Sequence, residues 1–395
     1  MDGGSIPPIS TNPLSRDSGP APALIRGSWA YFRRTCRAVV SGRNARRSPR
    51  LALDMRAIIY SRSGTSSVLE LVGREPATPG PDEVRVRVAV SGVNPTDWKA
   101  RAGGKPLEYD EIVPNQDGAG VVDAVGAEVA DLNVGDRVWL FLAAHQRPSG
   151  TAQEFTVVPA SRVVRLPDAV GFDVAASLGV PAMTAHRALT VHEFGPTRLA
   201  PGALAGRIVL VHGGAGAVGH AAIQLAVWAG ATVVATVSSD DKADLARAAG
   251  AHHVVQYPDA DLSAKIISIA PNGVDHVVEV APAQNAALDV QVLANHGSIA
   301  YYANNDGDHF TVPIVASFAK NARWQGLLLY TVGPEALAAA AEDITAALEA
   351  GALPVGAEAG LPLTWFSLEE TASAHDAVEA GATGKVLIRV ADDLS

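Results

Sequence analysis

Gly214, Gly216 and Gly219 stand in G-x-G-x-x-G spacing within VLVHGGAGAVGHAAIQLA. An apolar strand precedes them and a helical stretch follows, the setting in which that spacing holds a dinucleotide. One glycine makes a tight turn, one lets the backbone around Ala215, Ala217 and Val218 approach a pyrophosphate, and one lets helix and strand pack closely. The helix start then offers free N–H groups to the phosphates. The bland alternative is a glycine-rich turn with no ligand. About 20 residues on, a site for NAD usually offers an acid to the ribose 2′-hydroxyl. Here ATVVATVSSDDK puts Val237 and Ser238 at that place. Asp240 and Asp241 come later and read as the start of a helix capped by Ser238 or Ser239. Lys242, one turn in, is a cation within reach of a 2′-phosphate, so the expected cofactor is NADPH; a solvated surface lysine is the alternative reading.

A second stretch, VSGVNPTDWKARAG, ends a strand at Asn94-Pro95. On its own, Asn-Pro is a turn signal and Asn94 needs no chemical role.

The elements around these residues change character along the chain. Between 55 and about 165, short alternating strands (EVRVRVAVS, GAGVVDAVG, DRVWLF, AQEFTVV) with Gly and Pro breaks describe an irregular β-domain. Helical periodicity begins in DVAASLGVPAMTAHRAL. From 207, apolar strands alternate with helices: RIVLVH, ATVVATV, HHVVQY, VDHVVEV and SIAYYA, with helices near 261–270 and 285–294 among them. That alternation implies a parallel sheet covered on both faces. NARWQGLLLYTV is expected to add a sixth strand. The tail carries helices at 334–350 and near 368–380 and a last strand, GKVLIRV, which is expected to return to the first domain.

Bulk properties set the limits. The chain has 395 residues, 48% hydrophobic and 18% charged, as expected of about two globular domains. No apolar run reaches the roughly 18 residues of a membrane span. A net charge of -10 gives nucleic acid no footprint. Cys36 is the one cysteine, so an internal disulfide and a multi-thiolate site are both excluded. A reducing cytoplasm is the expected location. Residues 1–54 hold nine Arg, no Lys and three Asp, a net +6 that leaves -16 on the remainder. They read as a disordered extension, or as sequence upstream of a start at Met55; transit peptides share the Arg-rich composition.

VNPTD, DGAGVVDAVG followed by VGDRVW, LVHGGAGAVG and the closing AHDAVEAGATGKVLI together resemble the medium-chain dehydrogenase/reductase superfamily, and within it the zinc-free quinone oxidoreductases, over 55 to about 390. The resemblance implies an α/β protein: a GroES-like β-domain over 55–180, completed by 332–395, and a Rossmann doubly wound parallel sheet over 181–331. Zinc-dependent members carry Cys, His and Cys as catalytic ligands. This chain has Asn94, Gln116 and Val180 there and lacks the four-cysteine structural loop, so no metal is expected. His252 and His253 are neighbours on a strand and point to opposite faces. VPNQDGAG departs from the common PGxDxAG, which leaves the shape of that loop open.

The resemblance also places Asn94 by the nicotinamide and the hydride acceptor, Thr184 near the nicotinamide, and Lys242 and Tyr257 at the 2′-phosphate. Tyr257 otherwise reads as a strand-end aromatic. The activity implied is metal-free hydride transfer from NADPH to a quinone or a related conjugated carbonyl, by a homodimer joined through the edge strand near GLLLYTV. An enoyl-thioester or 2-alkenal reductase and a non-catalytic NADPH-binding protein are the alternatives. Tyr60, Tyr301 and Tyr302 are candidate proton donors, each equally readable as packing.

Overall fold

The computed structural model describes residues 55–103, 106–257, 261–304, 307–391 and 393–394; the extension expected to be disordered, 1–54, lies outside them. The first part opens with a hairpin-like pair, β1 (Met55–Ile59) and β2 (Glu70–Arg74). In β3 (Glu83–Val93), Val84, Val86 and Val88 are buried while Arg85 and Arg87 face outward, the period of a strand with one covered face. Beyond Val88 every residue of β3 is buried as the strand enters the centre of the molecule. Asn94 then starts α1 (Pro95–Ala102), with Pro95 in the first turn, so the Asn-Pro signal marks a helix start instead of a simple turn. The strands β4 (Asp117–Val125), β5 (Arg137–Leu140), β6 (Phe155–Pro159) and β7 (Val163–Arg165) complete this part.

The long helix α2 (Phe172–Leu189) leads onward. It is broken at Gly179, whose φ of 3° and ψ of -116° are not helical, just ahead of Pro181. Only glycine fits at the break, because a Cβ on Gly179 would lie 2.0 Å from Asp117 Oδ1.

The second part alternates β8 (Ile208–His212), α3 (Ala217–Trp228), β9 (Thr232–Val237), α4 (Asp240–Ala248), β10 (His253–Gln256), α5 (Leu262–Ile269), β11 (Val274–Glu279), α6 (Pro282–Val292), β12 (Leu293–Tyr301), α7 (Ile314–Ala319) and β13 (Arg323–Gly326). Its six strands pair in parallel in the order β10-β9-β8-β11-β12-β13. That is the doubly wound order, with the switch point between β8 and β11, where the carboxyl ends of the strands open a crevice. Val209, Val211, Val233, Val277 and Val278 are wholly buried, as strands covered on both faces require.

The sixth strand is shorter than its apolar sequence implies. β13 ends at Gly326, and Leu329–Thr331 form a 3-10 turn. The chain leaves the sheet because Leu329 is buried and the Tyr330 hydroxyl donates to Thr96 Oγ1 at 2.9 Å, which ties this segment to α1. Finally α8 (Pro334–Glu349) packs on α2, and the chain returns through β14 (Leu363–Ser367), α9 (Thr371–Glu379) and β15 (Lys385–Arg389). β15 runs antiparallel to β3, with Val386 opposite Val93, so the first sheet reads β14-β15-β3-β4-β5-β7 with β6 also on β3. Among the described residues no helix is long and apolar enough to cross a membrane.

Candidate functional site

A cleft of about 600 Å³ opens at the switch point. The glycine-loop residues Ala215, Gly216, Ala217, Val218 and Gly219 line it, and Gly216 caps α3, whose first-turn N–H groups have no partner within the helix. Gly214 does not line the cleft; it packs inward, where a Cβ would stand 3.0 Å from Ala235 Cβ. The left-handed residue of the turn is Gly213, at φ +69°, the glycine just before the spaced three.

Ser238, Lys242 and Tyr257 line one end of the cleft. Ser239 is the helix cap: its Oγ accepts the Lys242 N–H at 3.4 Å, and it stays out of the lining. Asp240 is engaged by Gln256 Nε2 at 2.6 Å. Lys242 is therefore the cation this end presents, beside a serine hydroxyl and a half-exposed tyrosine.

Beneath the glycine loop sits a cluster that no sequence pattern revealed. His212, the last residue of β8, places Nδ1 at 2.8 Å from Thr236 Oγ1 and Nε2 at 2.9 Å from Asp289 Oδ1 and 3.4 Å from Glu279 Oε2. All three charged residues are buried. Burial works against a charged ring, but Glu279 and Asp289 outweigh it and push His212 up to about 9. Burial pushes Asp289 up to about 7, with His212 opposing. These donors have the types that ligate cations. The bonds between the ring and Thr236 and Asp289 tie three elements together beneath the loop. Glu279 Oε1 in turn accepts from the Ala281 N–H and from Asn285 Nδ2, which shapes the β11–α6 turn on the cleft wall.

Asn94, Val180 and Thr184 line the other end. Asn94 is 3% exposed, and its side chain is held on both sides. Lys385 Nζ donates to Asn94 Oδ1 at 2.7 Å, and Asn94 Nδ2 donates to Asp117 Oδ2 at 2.6 Å. Lys385 also lies 3.3 Å from Asp117 Oδ2. The break in α2 frees the Val180 N–H, which donates to Asp117 Oδ1 at 2.8 Å. Burial pushes the Asp117 carboxyl up, and Lys385, Asn94 and Val180 pull it back. Asp97, accepting from the Asn94 and Gln116 N–H groups, is pushed up to about 8 by burial and by Asp117. Of the two buried carboxyls, Asp117 is the one in direct contact with Lys385, while Asp97 is held by backbone N–H groups alone.

Of the three tyrosines considered, Tyr302 lines the cleft; Tyr301 meets Phe310 edge-to-face at 5.3 Å, and Tyr60 lines a separate pocket of about 410 Å³. Tyr330, which no sequence pattern singled out, lines the cleft with its partner Thr96. Burial, reinforced by Asp97, raises its hydroxyl pKa.

Residues 80–168 match the alcohol dehydrogenase GroES-like domain family, and residues 217–346 match the zinc-binding dehydrogenase family. The chain is 31% identical to a quinone oxidoreductase of Sus scrofa over 342 residues, 85% of this chain and 97% of the relative. Its fold is similar to that of a Pseudomonas syringae quinone oxidoreductase, with a TM-score of 0.72 and 28% identity over 85% of this chain and 99% of the other. A mycobacterial protein solved in complex with NADPH aligns with a TM-score of 0.71 and 29% identity, over 85% and 99% of the two chains.

The residues present do not fit the zinc that one of these family names implies. The Asn94 amide is engaged by Lys385 and Asp117. Gln116 gives Oε1 to the Ala144 N–H at 3.2 Å and lines the separate pocket rather than the cleft. Val180 has no donor atom, and the Lys385 ammonium at the centre of the group repels a second cation. The chain belongs to the quinone oxidoreductase family of the medium-chain dehydrogenase/reductase superfamily and is an oxidoreductase of the quinone-reductase type.

Proposed function

We propose that this enzyme uses NADPH to reduce quinones and related conjugated carbonyls without a metal. The observation that carries the reading is the arrangement of one cleft, with a phosphate-binding loop in the middle, Lys242 at one end and Asn94 with Thr184 at the other. When bound, NADPH supplies a hydride. The N–H groups at the start of α3 take the pyrophosphate, and Lys242, Ser238 and Tyr257 take the 2′-phosphate. Thr184 and Val180 hold the reacting end against Asn94. With no Lewis acid to stabilise an alkoxide, a simple alcohol is a poor substrate. A quinone or enone spreads the new charge onto its oxygen, so positioning carries most of the rate enhancement. The hydride brings both electrons and the first hydrogen to the acceptor, and the remaining proton comes from water.

A homodimer joined along β13, the edge of the parallel sheet, and a cytoplasmic location belong to the same reading; Leu328, 56% exposed just past that strand, supports the interface. The test is NADPH oxidation against a panel of benzoquinone, naphthoquinone, enones and enoyl thioesters, with benzyl alcohol and NADP+ in the reverse direction, before and after chelation. The expected result is quinone reduction at an unchanged rate after chelation and no alcohol oxidation. Activity lost on chelation and restored by zinc refutes the metal-free reading, and a preference for enoyl thioesters moves the substrate to the alternative.

A further inference from the structure

The chemistry of its neighbours leaves Asn94 no choice of orientation. A lysine ammonium only donates, so Oδ1 must face Lys385, and that leaves Nδ2 to face Asp117, whose other oxygen accepts the Val180 N–H. The lock is built in. Lys385 and Asp117 are 2% and 0% exposed, and Gly92 on β3 leaves room for the lysine, since a Cβ there would lie 3.0 Å from Lys385 Cε. The bond to Asp117 uses one of the two Nδ2 hydrogens. The other has no partner among the described residues, on a side chain that lines the cleft.

We infer that Lys385 and Asp117 are positioning residues that hold Asn94 so that its remaining amide N–H donates to the carbonyl oxygen of the acceptor. The inference rests on the proposed reduction of conjugated carbonyls. Hydride addition at the acceptor carbon moves an electron pair onto that oxygen, and NADPH leaves as NADP+. The Asn94 N–H meets the developing oxyanion, and a proton from solvent then completes the hydroquinone or saturated carbonyl. The Lys385 ammonium withdraws electron density from Oδ1 of the same amide and so strengthens its N–H as a donor. An amide free to flip could present oxygen to oxygen; the locked one does not.

The experiment uses the Asp117→Asn/Lys385→Met double variant, which removes both charges together and avoids a lone buried ion. The neutral amide introduced in place of the Asp117 carboxylate can donate or accept, so it no longer dictates the orientation of Asn94. We expect NADPH affinity within twofold of the parent and kcat for naphthoquinone lowered by about 10²-fold, the loss seen when one oxyanion donor is removed. A second readout is the infrared carbonyl band of 13C-labelled naphthoquinone bound with NADP+. It is expected at lower wavenumber in the parent than in apolar solvent, and to return toward the solvent value in the double variant and in Asn94→Asp. Parent-like kcat and an unmoved band in the variants overturn the inference. Should the double variant not fold, the parent band decides: a band at the apolar-solvent value means that no N–H reaches the oxygen. A parent enzyme that reduces no conjugated carbonyl with NADPH refutes the proposed function itself, a result distinct from either.

Discussion

Lys242→Ala tests cofactor selection with little collateral change. The residue sits in the first turn of α4, and its backbone N–H, which Ser239 caps, survives the substitution. Alanine is the best helix former, so α4 loses nothing by propensity. What goes is the ammonium facing the end of the cleft shared with Ser238 and Tyr257. A hydrogen bond to a charged group contributes roughly 1.5–3 kcal/mol. At about 1.4 kcal/mol per decade, NADPH should bind about tenfold to a hundredfold more weakly. Ser238 and Tyr257 remain, so some preference for the phosphate persists. NADH has only a neutral hydroxyl at that position, and its affinity should change less than about twofold. Nicotinamide fluorescence titration with both cofactors, at one fixed ionic strength because exposed charges are screened, gives the two ratios directly. Equal weakening of NADPH and NADH would mean that the lysine acts through folding, and unchanged NADPH affinity would mean that the phosphate lies elsewhere.

Three further outcomes follow from the buried groups and the sheet edge. Folding raises the pKa of Asp289 to about 7, Asp97 to about 8 and His212 to about 9, so the native state holds protons that the unfolded chain releases. Their stabilisation is full below the unfolded pKa values and is lost as pH rises through the folded ones, so the melting temperature should fall from pH 6.5 to 9. Buried His220 and His276, held near 4, and His375, held near 3, oppose this only below pH 6.5; a flat or rising trend above it refutes the assignment. Gly179→Ala forces a Cβ onto Asp117 and should destabilise the fold by about 1–3 kcal/mol in denaturant unfolding; no change in the midpoint would mean the break in α2 is not needed. Leu328→Arg should convert dimer to monomer in light scattering, and a parent that is already monomeric removes β13 as an interface.

Periodic signals transferred well from sequence to structure. The alternation of EVRVRV became β3 with its valines buried, and the strand-helix repeat from 207 became the parallel sheet. The glycine spacing found the loop but not Gly213, because GG presents two candidates and spacing alone cannot say which one turns left-handed. Lys385 opens the apolar strand GKVLIRV, and a lysine at the head of a V-L-I run is the local trace that could have pointed to it. Its partners Asn94 and Asp117 are 291 and 268 residues earlier, beyond any local pattern. The same holds for His212, Glu279 and Asp289, which three different elements bring together. NARWQGLLLYTV did supply the sixth strand, but only over Arg323–Gly326, because apolar content does not tell where a strand ends.

The pairing of β15 with β3 has a consequence for the order of events during synthesis. Asn94 leaves the ribosome 291 residues before Lys385, which at about 5–20 residues per second is a delay of roughly 15–60 s. All six strands of the parallel sheet, up to Gly326, emerge within that interval and can pair with one another. The segment Val90–Val93 has to wait with its β15 side open, and Asp117 lacks its Lys385 partner until the last strand arrives. The dinucleotide fold can therefore form before Asn94 meets Lys385. In that window an unpaired stretch of β3 is exposed to other chains, and this is where chaperone binding and misassembly are expected to concentrate.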